Sequence, residues 1–189
     1  MTPELPIDPA RRRRNRIMLV LLALIFLLPV GGASLLHLSG YRPEHTRNHG
    51  ELLAPPVALT DLSLHRGDGS AYAFVPQERR WQIAVVPTAD CAARCTELIA
   101  GLDKVWRLQG RRADRLQVLW FGPVPADATA FRTFVPMQPD AALAARLPGL
   151  AETGAPSLYL IDPSGFLVMR YAPGFDLAHL RADVTHLLK

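Results

Sequence analysis

Two cysteines stand four residues apart in the segment Cys91-Ala92-Ala93-Arg94-Cys95, and the chain has no others. Residues at this spacing on a helix share a face, so both sulfurs come to one side. A disulfide needs Cα atoms within about 4.4 to 6.8 Å, a limit an i, i+4 pair just meets when its first member sits at the loose start of the helix. Two thiolates can instead hold a soft metal, and among the ions met outside the cytoplasm Cu(I) is the one such a pair selects. The unpaired amides of a helix start, together with Arg94, favour the thiolate at Cys91, as nucleophile or as ligand. A third reading makes the two residues small apolar helix positions or an inert staple.

The segments on either side say how such a pair would be held. Trp81 to Val86 reads as a buried strand that runs into Pro87-Thr88-Ala89-Asp90, where Asp90 or Thr88 can cap a helix. Cys95, Leu98, Ile99, Leu102, Val105 and Trp106 then recur at helical spacing, predicting a helix to about Gly110. Leu116 to Phe121 is a second buried strand, closed by Gly122-Pro123. Before the cysteines, Val57 to Leu64 and Ser70 to Val75 alternate apolar and polar around Gly67-Asp68-Gly69, the pattern of a β-hairpin. After them, Ala126 to Phe134 and Asp140 to Leu147 read as short helices separated by Pro136 and Pro139. Ser157 to Ile161 and Phe166 to Tyr171 are strands joined by the turn Asp162-Pro163-Ser164-Gly165, and Asp176 caps a last amphipathic helix. This order requires an α/β fold, a central mixed sheet flanked by helices in the thioredoxin-like arrangement. The cysteines then fall at the carboxyl end of the first central strand.

Of the 189 residues 49% are hydrophobic and 20% charged, a composition that fits one globular domain and one extra segment. Arg11, Arg12, Arg13, Arg14 and Arg16 against Glu4 and Asp8 give residues 1–16 a net +3 of the chain's +4. The remainder is nearly neutral, which argues against a nucleic-acid partner. The arginines run into Ile17–Leu36, a charge-free stretch whose helix would be about 30 Å long, the thickness of a bilayer core. Residues 1–16 are therefore a cytoplasmic basic segment, 17–38 a transmembrane anchor, 39–56 a polar linker carrying His45 and His49, and 57–189 the thioredoxin-like domain. A cleaved signal peptide is the alternative, because Pro29, Gly31, Gly32 and Ala33 interrupt the apolar run. Both readings export the domain, and the retained anchor places it in the periplasm of a single-pass bacterial inner-membrane protein. There a lone cysteine pair is a disulfide, a dithiol kept reduced by dedicated partners, or a metal site.

Ala155-Pro156 precedes the strand Ser157–Ile161, where thioredoxin-like proteins carry a cis-proline facing their cysteines, so Pro156 joins the candidate site; the alternative is a plain strand-start proline. The anchor, the hairpin, the CxxxC that opens the first domain helix and Tyr159-Leu160-Ile161-Asp162-Pro163-Ser164-Gly165 together resemble the Sco family of cytochrome c oxidase assembly proteins, over about residues 50–189. The resemblance implies a thioredoxin-fold copper chaperone or thiol–disulfide reductase. Cys91 and Cys95 would be its copper-binding and redox-active thiols, and a respiratory oxidase subunit or another assembly factor its partner. Two departures stand out. Ala92 and Thr96 occupy the positions after each cysteine where the family has proline, and Glu152-Thr153-Gly154-Ala155-Pro156 lacks the histidine that completes the family's copper site. Met137, Met169, His65, His179 and His186 read as core or surface residues rather than as replacements. A docking module without chemistry at sulfur is the competing function. No Ser-His-Asp order, paired carboxylates or phosphate loop stands out to suggest a hydrolase.

Overall fold

The computed structural model describes residues 9–40, 48–88, 91–150 and 155–189. The chain divides into two units, Met1–Thr46 and Arg47–Lys189. The first contains helix α1, Pro9–Leu38, which continues through Pro29 and the two following glycines. Its stretch Arg11–Leu38 has a mean hydropathy of 2.6 over its most apolar window and none of that window is buried, so it is long and apolar enough to cross a membrane.

The second unit is built on strands β1 (Glu51–Ala58), β4 (Trp81–Val86), β5 (Leu116–Phe121), β6 (Phe134–Met137), β7 (Ser157–Ile161) and β8 (Phe166–Tyr171). They form a mixed six-stranded sheet in the order β1-β8-β7-β4-β5-β6. β4 pairs parallel with β5, and β5 with β6, while β7 runs antiparallel to both β4 and β8. Side chains of a strand alternate between faces, and here both faces are covered. Ile83, Val85, Val118, Trp120, Leu158 and Leu160 pack on one face with helices α2 (Ala92–Arg107) and α4 (Leu177–Leu187). Ala84, Leu119, Phe121, Tyr159 and Ile161 pack on the other with Leu59, Leu64, Tyr72 and helix α3 (Ala141–Arg146).

The strands at the heart of the sheet fall where periodicity places them, and so do α2, α3 and α4. Asp140 and Asp176 cap the last two by accepting from the amides of Leu143 and Ala178. In the β7–β8 turn, Asp162 Oδ1 accepts from the amides of Ser164 and Phe166, and Gly165 takes φ +86°. Three elements differ from expectation. The hairpin contracts to β2 (Leu64–His65) and β3 (Ala71–Tyr72), because residues 59–63 turn away beneath the sheet with Leu59 fully buried. β1 begins at Glu51, inside the segment read as linker, and pairs with β8 as an edge strand, where Pro55 and Pro56 leave a ladder irregular between Leu52 and Val57. The helix expected over Ala126–Phe134 does not form: residues 122–133 are turns and irregular backbone, and β6 begins at Phe134; Pro136 is tolerated there because β6 is the opposite edge.

A buried carboxylate fixes the start of this unit. Asp183, in α4, is 5% exposed. It accepts from the amides of His49 (2.9 Å) and Gly50 (3.0 Å), from His49 Nδ1 (3.1 Å) and from the Tyr171 hydroxyl (2.9 Å). Burial alone would raise its pKa, yet the donors from His49, Gly50 and Tyr171 together hold it below the ordinary carboxylate value. The His49 ring also stacks on His179, with centroids 4.1 Å apart. His49, read from sequence as a solvated linker residue, is thus anchored to α4; His45 lies outside the described residues.

Candidate redox site

The chain leaves the carboxyl end of β4 through Pro87 and Thr88 and reaches Cys91, which directly precedes α2. Room for this exit comes partly from Gly122 at the end of β5, where an added Cβ would lie 2.6 Å from Pro87 Cγ. The Cys91 amide donates to the Thr88 carbonyl (3.2 Å), and the Cys95 amide to the Cys91 carbonyl (3.0 Å), so Cys95 sits one turn along the helix. Asp90, one of the two expected caps, lies outside the described residues. Thr88 does not cap the helix, and its buried hydroxyl has no hydrogen-bond partner.

Cys91 and Cys95 are joined as a disulfide with Cα atoms 5.2 Å apart. Of the alternatives the residues left open, the structure holds the oxidised one. Both cysteines are buried, at 3% and 2% exposure, in the apolar cluster between the sheet and α2. Part of that cover is the β5–β6 connection, from which Ala128 and Phe131 pack into the same cluster. Thr96, next to Cys95 and on the first turns of α2, donates through Oγ1 to Asp127 Oδ1 at 3.0 Å, tying this connection to the turn that carries the disulfide. Sequence reasoning did not find Asp127 as a neighbour of the pair, because the contact crosses 31 residues and nothing local signals it.

Pro156 comes to the same end of the sheet, since Val86 pairs with Ser157. Its peptide bond lacks the cis form that the thioredoxin-like resemblance implies at this position. Among the described residues the cis peptide is Ala54–Pro55, in β1. Pro156 is a strand-start proline, a position that needs no ladder donor.

The donor set does not fit a three-ligand copper centre. The sulfurs are bonded to each other, and among the described residues no three His, Cys, Asp or Glu side chains stand close enough to share an ion. Met137 is buried against the opposite face of the sheet from the cysteines, Met169 is core, and His65 and His186 are exposed in the hairpin and on α4. What the pair can do is exchange: a thiolate attacks one sulfur in line and the other leaves as thiolate. At 3% and 2% exposure, a sulfur must first be uncovered.

The sequence profile of a family described as "Transmembrane-like, thioredoxin-like, C-terminal domain" matches residues 81–189, which span the cysteine pair, the β7–β8 turn and α4. The chain belongs to this family. Its thioredoxin-like fold is shared with the crystal structure of Trgpx in apo form, which is 14% identical with a TM-score of 0.52 over 70% of this chain and 95% of that one. Two further structures align less closely. BsSco, a member of the Sco family of cytochrome c oxidase assembly proteins with an identified disulfide switch, is 11% identical (TM-score 0.48; 77% of this chain, 98% of that one). Yeast Sco1 with copper bound is 13% identical (TM-score 0.48; 75% and 93%). No curated protein sequence matches the chain. Family membership thus rests on the stretch that holds the disulfide, whereas β1, the hairpin and α1 lie outside the matched region.

Proposed function

We propose that this chain is a thiol–disulfide oxidoreductase held at the bacterial inner membrane by α1, with its thioredoxin-like domain in the periplasm, and that it serves respiratory oxidase assembly as a Sco-related factor. The observation that carries the reading is the disulfide at the junction of β4 and α2, formed by the chain's two cysteines at the carboxyl end of a central strand. The resemblance to the Sco family, through the CxxxC and the YLIDPSG turn, supports the oxidase as the destination. The arginines before the apolar run support a cytoplasmic N-terminus.

In the working cycle a membrane dithiol donor supplies two electrons and two protons to the Cys91–Cys95 disulfide. One thiolate of the reduced pair then attacks a disulfide in the target, whose departing sulfur leaves as thiolate and takes a proton. The other cysteine attacks the mixed disulfide and releases the target as a dithiol, which re-forms the intramolecular bond. The target gains the two electrons the pair loses. Placement of Cys91 ahead of the helix makes it the attacking sulfur, and Cys95, one turn in, the resolving one.

Two other readings are tested alongside. In Cu(I) delivery the metal is cargo; the reduced pair would supply two thiolates, and the missing third ligand makes exchange the better-supported role. A docking module without sulfur chemistry draws on the near-complete burial of both cysteines. The test is a strain carrying Cys95→Ser, which should accumulate a mixed disulfide between Cys91 and an oxidase subunit or another assembly factor. Cys91→Ser should trap nothing and abolish oxidase maturation. Full complementation by the double serine variant would establish the docking module instead.

A further inference from the structure

Thr88 brings to the disulfide a polar group that the oxidised fold does not use. Its Oγ1 is buried and has no hydrogen-bond partner, so the hydroxyl has left water without a replacement. A threonine just ahead of a helix ordinarily accepts from an amide of the first turn. Here the Cys91 amide already donates to the Thr88 carbonyl at 3.2 Å and the Cys95 amide to the Cys91 carbonyl at 3.0 Å, and α2 has no side-chain cap. A hydroxyl in this place, where the methyl of a valine would carry no such cost, is a local conflict of the kind found at functional sites.

The bond from Cys91 to the Thr88 carbonyl also fixes what the hydroxyl can reach. It closes a turn over residues 88–91, whose end Cα atoms then lie within about 7 Å. Across that spacing the side-chain oxygen of the first residue reaches atoms of the fourth, as it does in a helix cap. The fourth residue is Cys91, 3% exposed in an apolar cluster with Val85, Ile99 and Phe131. A thiolate formed in such surroundings is penalised by desolvation and needs a donor. Sulfur in a disulfide is a weak acceptor and a thiolate a strong one, which accounts for a hydroxyl left without a partner while the bond is closed.

We propose that Thr88 is a catalytic residue of thiol–disulfide exchange, its hydroxyl donating to the Cys91 thiolate once the pair is reduced. This rests on the redox reading of Cys91 and Cys95 and deepens it. The donor dithiol passes two electrons to the pair and becomes a disulfide, and the bond between the two sulfurs breaks. Of the donor's two protons one goes to Cys95 and the other to water, which leaves Cys91 as thiolate. Thr88 keeps its own proton and stabilises that charge, so it favours the reduced, attacking form and contributes nothing to the closed one.

The test uses the full chain in nanodiscs, first in a Cys95→Ser background where Cys91 is a lone thiol, with folding checked by circular dichroism. Thiolate absorbance and alkylation by iodoacetamide are followed against pH. Thr88→Val should lower the thiolate fraction at pH 7 about tenfold, and the alkylation rate with it, whereas Thr88→Ser, which keeps the hydroxyl, should stay within about twofold. With both cysteines present, Thr88→Val should shift the equilibrium with glutathione about tenfold toward the disulfide, or about 30 mV, without lowering the stability of the oxidised protein. An unchanged thiolate fraction in folded Thr88→Val protein, or an equal loss in Thr88→Ser, would overturn the role of Thr88 while leaving the redox reading in place. A wild-type pair that resists reduction in the folded chain would overturn both, and the lone-thiol titration tells the two failures apart.

Discussion

At the carboxyl ends of β4 and β5 the backbone leaves the sheet through Pro87 and Gly122 and wraps a disulfide in apolar side chains. At their amino ends the same two strands put carboxamides side by side around a polar cavity. One end is apolar and holds its reactive group out of reach; the other is polar, with a buried carboxamide oxygen that has no hydrogen-bond partner. The contrast shows where control resides at each pole. Any exchange at the disulfide requires its cover to move, whereas the polar end keeps its unpartnered acceptor buried. The His49–Asp183–Tyr171 cluster lies at the first pole too, since Leu158 links Val85 to Tyr171 across the sheet. It joins residues 49–50 and β8 to α4 there.

Substitutions that strike one pole and spare the other sharpen this contrast. The largest effect is expected from Cys91→Ser, which should abolish two-electron exchange while leaving the packing around Gln82 and Gln117 unchanged, as read by redox titration and NMR of the same protein. Asp183→Asn removes the charge that four donors converge on and should lower stability by about 2–4 kcal/mol, measured by denaturant unfolding.

The acid limb follows from the direction of the Asp183 shift. The folded chain holds this carboxyl below its unfolded value, near 3.9, so its contribution is complete above that pH and is lost as the pH falls through the lowered value. Wild-type stability should therefore decline below about pH 4, and the Asp183→Asn protein should decline less over that range.

Asp127→Ala removes the partner of Thr96, a hydrogen bond worth roughly 1 kcal/mol, and should speed reduction of the disulfide about fivefold by loosening its cover. Equal reduction rates in the two proteins would show that the β5–β6 connection does not gate the site. The smallest effect belongs to Gln82→Met. It should change stability by less than about 1 kcal/mol in denaturant unfolding, because the group removed includes a bare acceptor.

Much of the fold is legible in the residues. Trp81–Val86 and Leu116–Phe121 are short apolar runs bounded by turns, Asp162-Pro163-Ser164-Gly165 specifies its own turn, and Cys95 to Trp106 repeats with helical period. The edges are not legible in this way. β1 carries Pro55-Pro56 and borrows its ladder from β8, and β6 is four residues around Pro136, so neither declares itself without its neighbour. The candidate site divides similarly. The cysteine pair is a local signal and was found. Its burial, the Thr96–Asp127 tie and the anchoring of His49 on Asp183 depend on contacts across 31 and 134 residues, which local patterning does not encode. The glutamines are visible in WQIAVV and LQVLWF, yet only the parallel register makes them neighbours.

The most direct test of a redox role for Cys91 and Cys95 is an equilibrium titration of the full chain in nanodiscs against glutathione and dithiothreitol, following the free thiols and the fold together. Reversible two-electron reduction of the folded domain, with a midpoint above about −300 mV, is the expected result. A disulfide that resists reduction until the domain unfolds would contradict it and make the pair a structural staple.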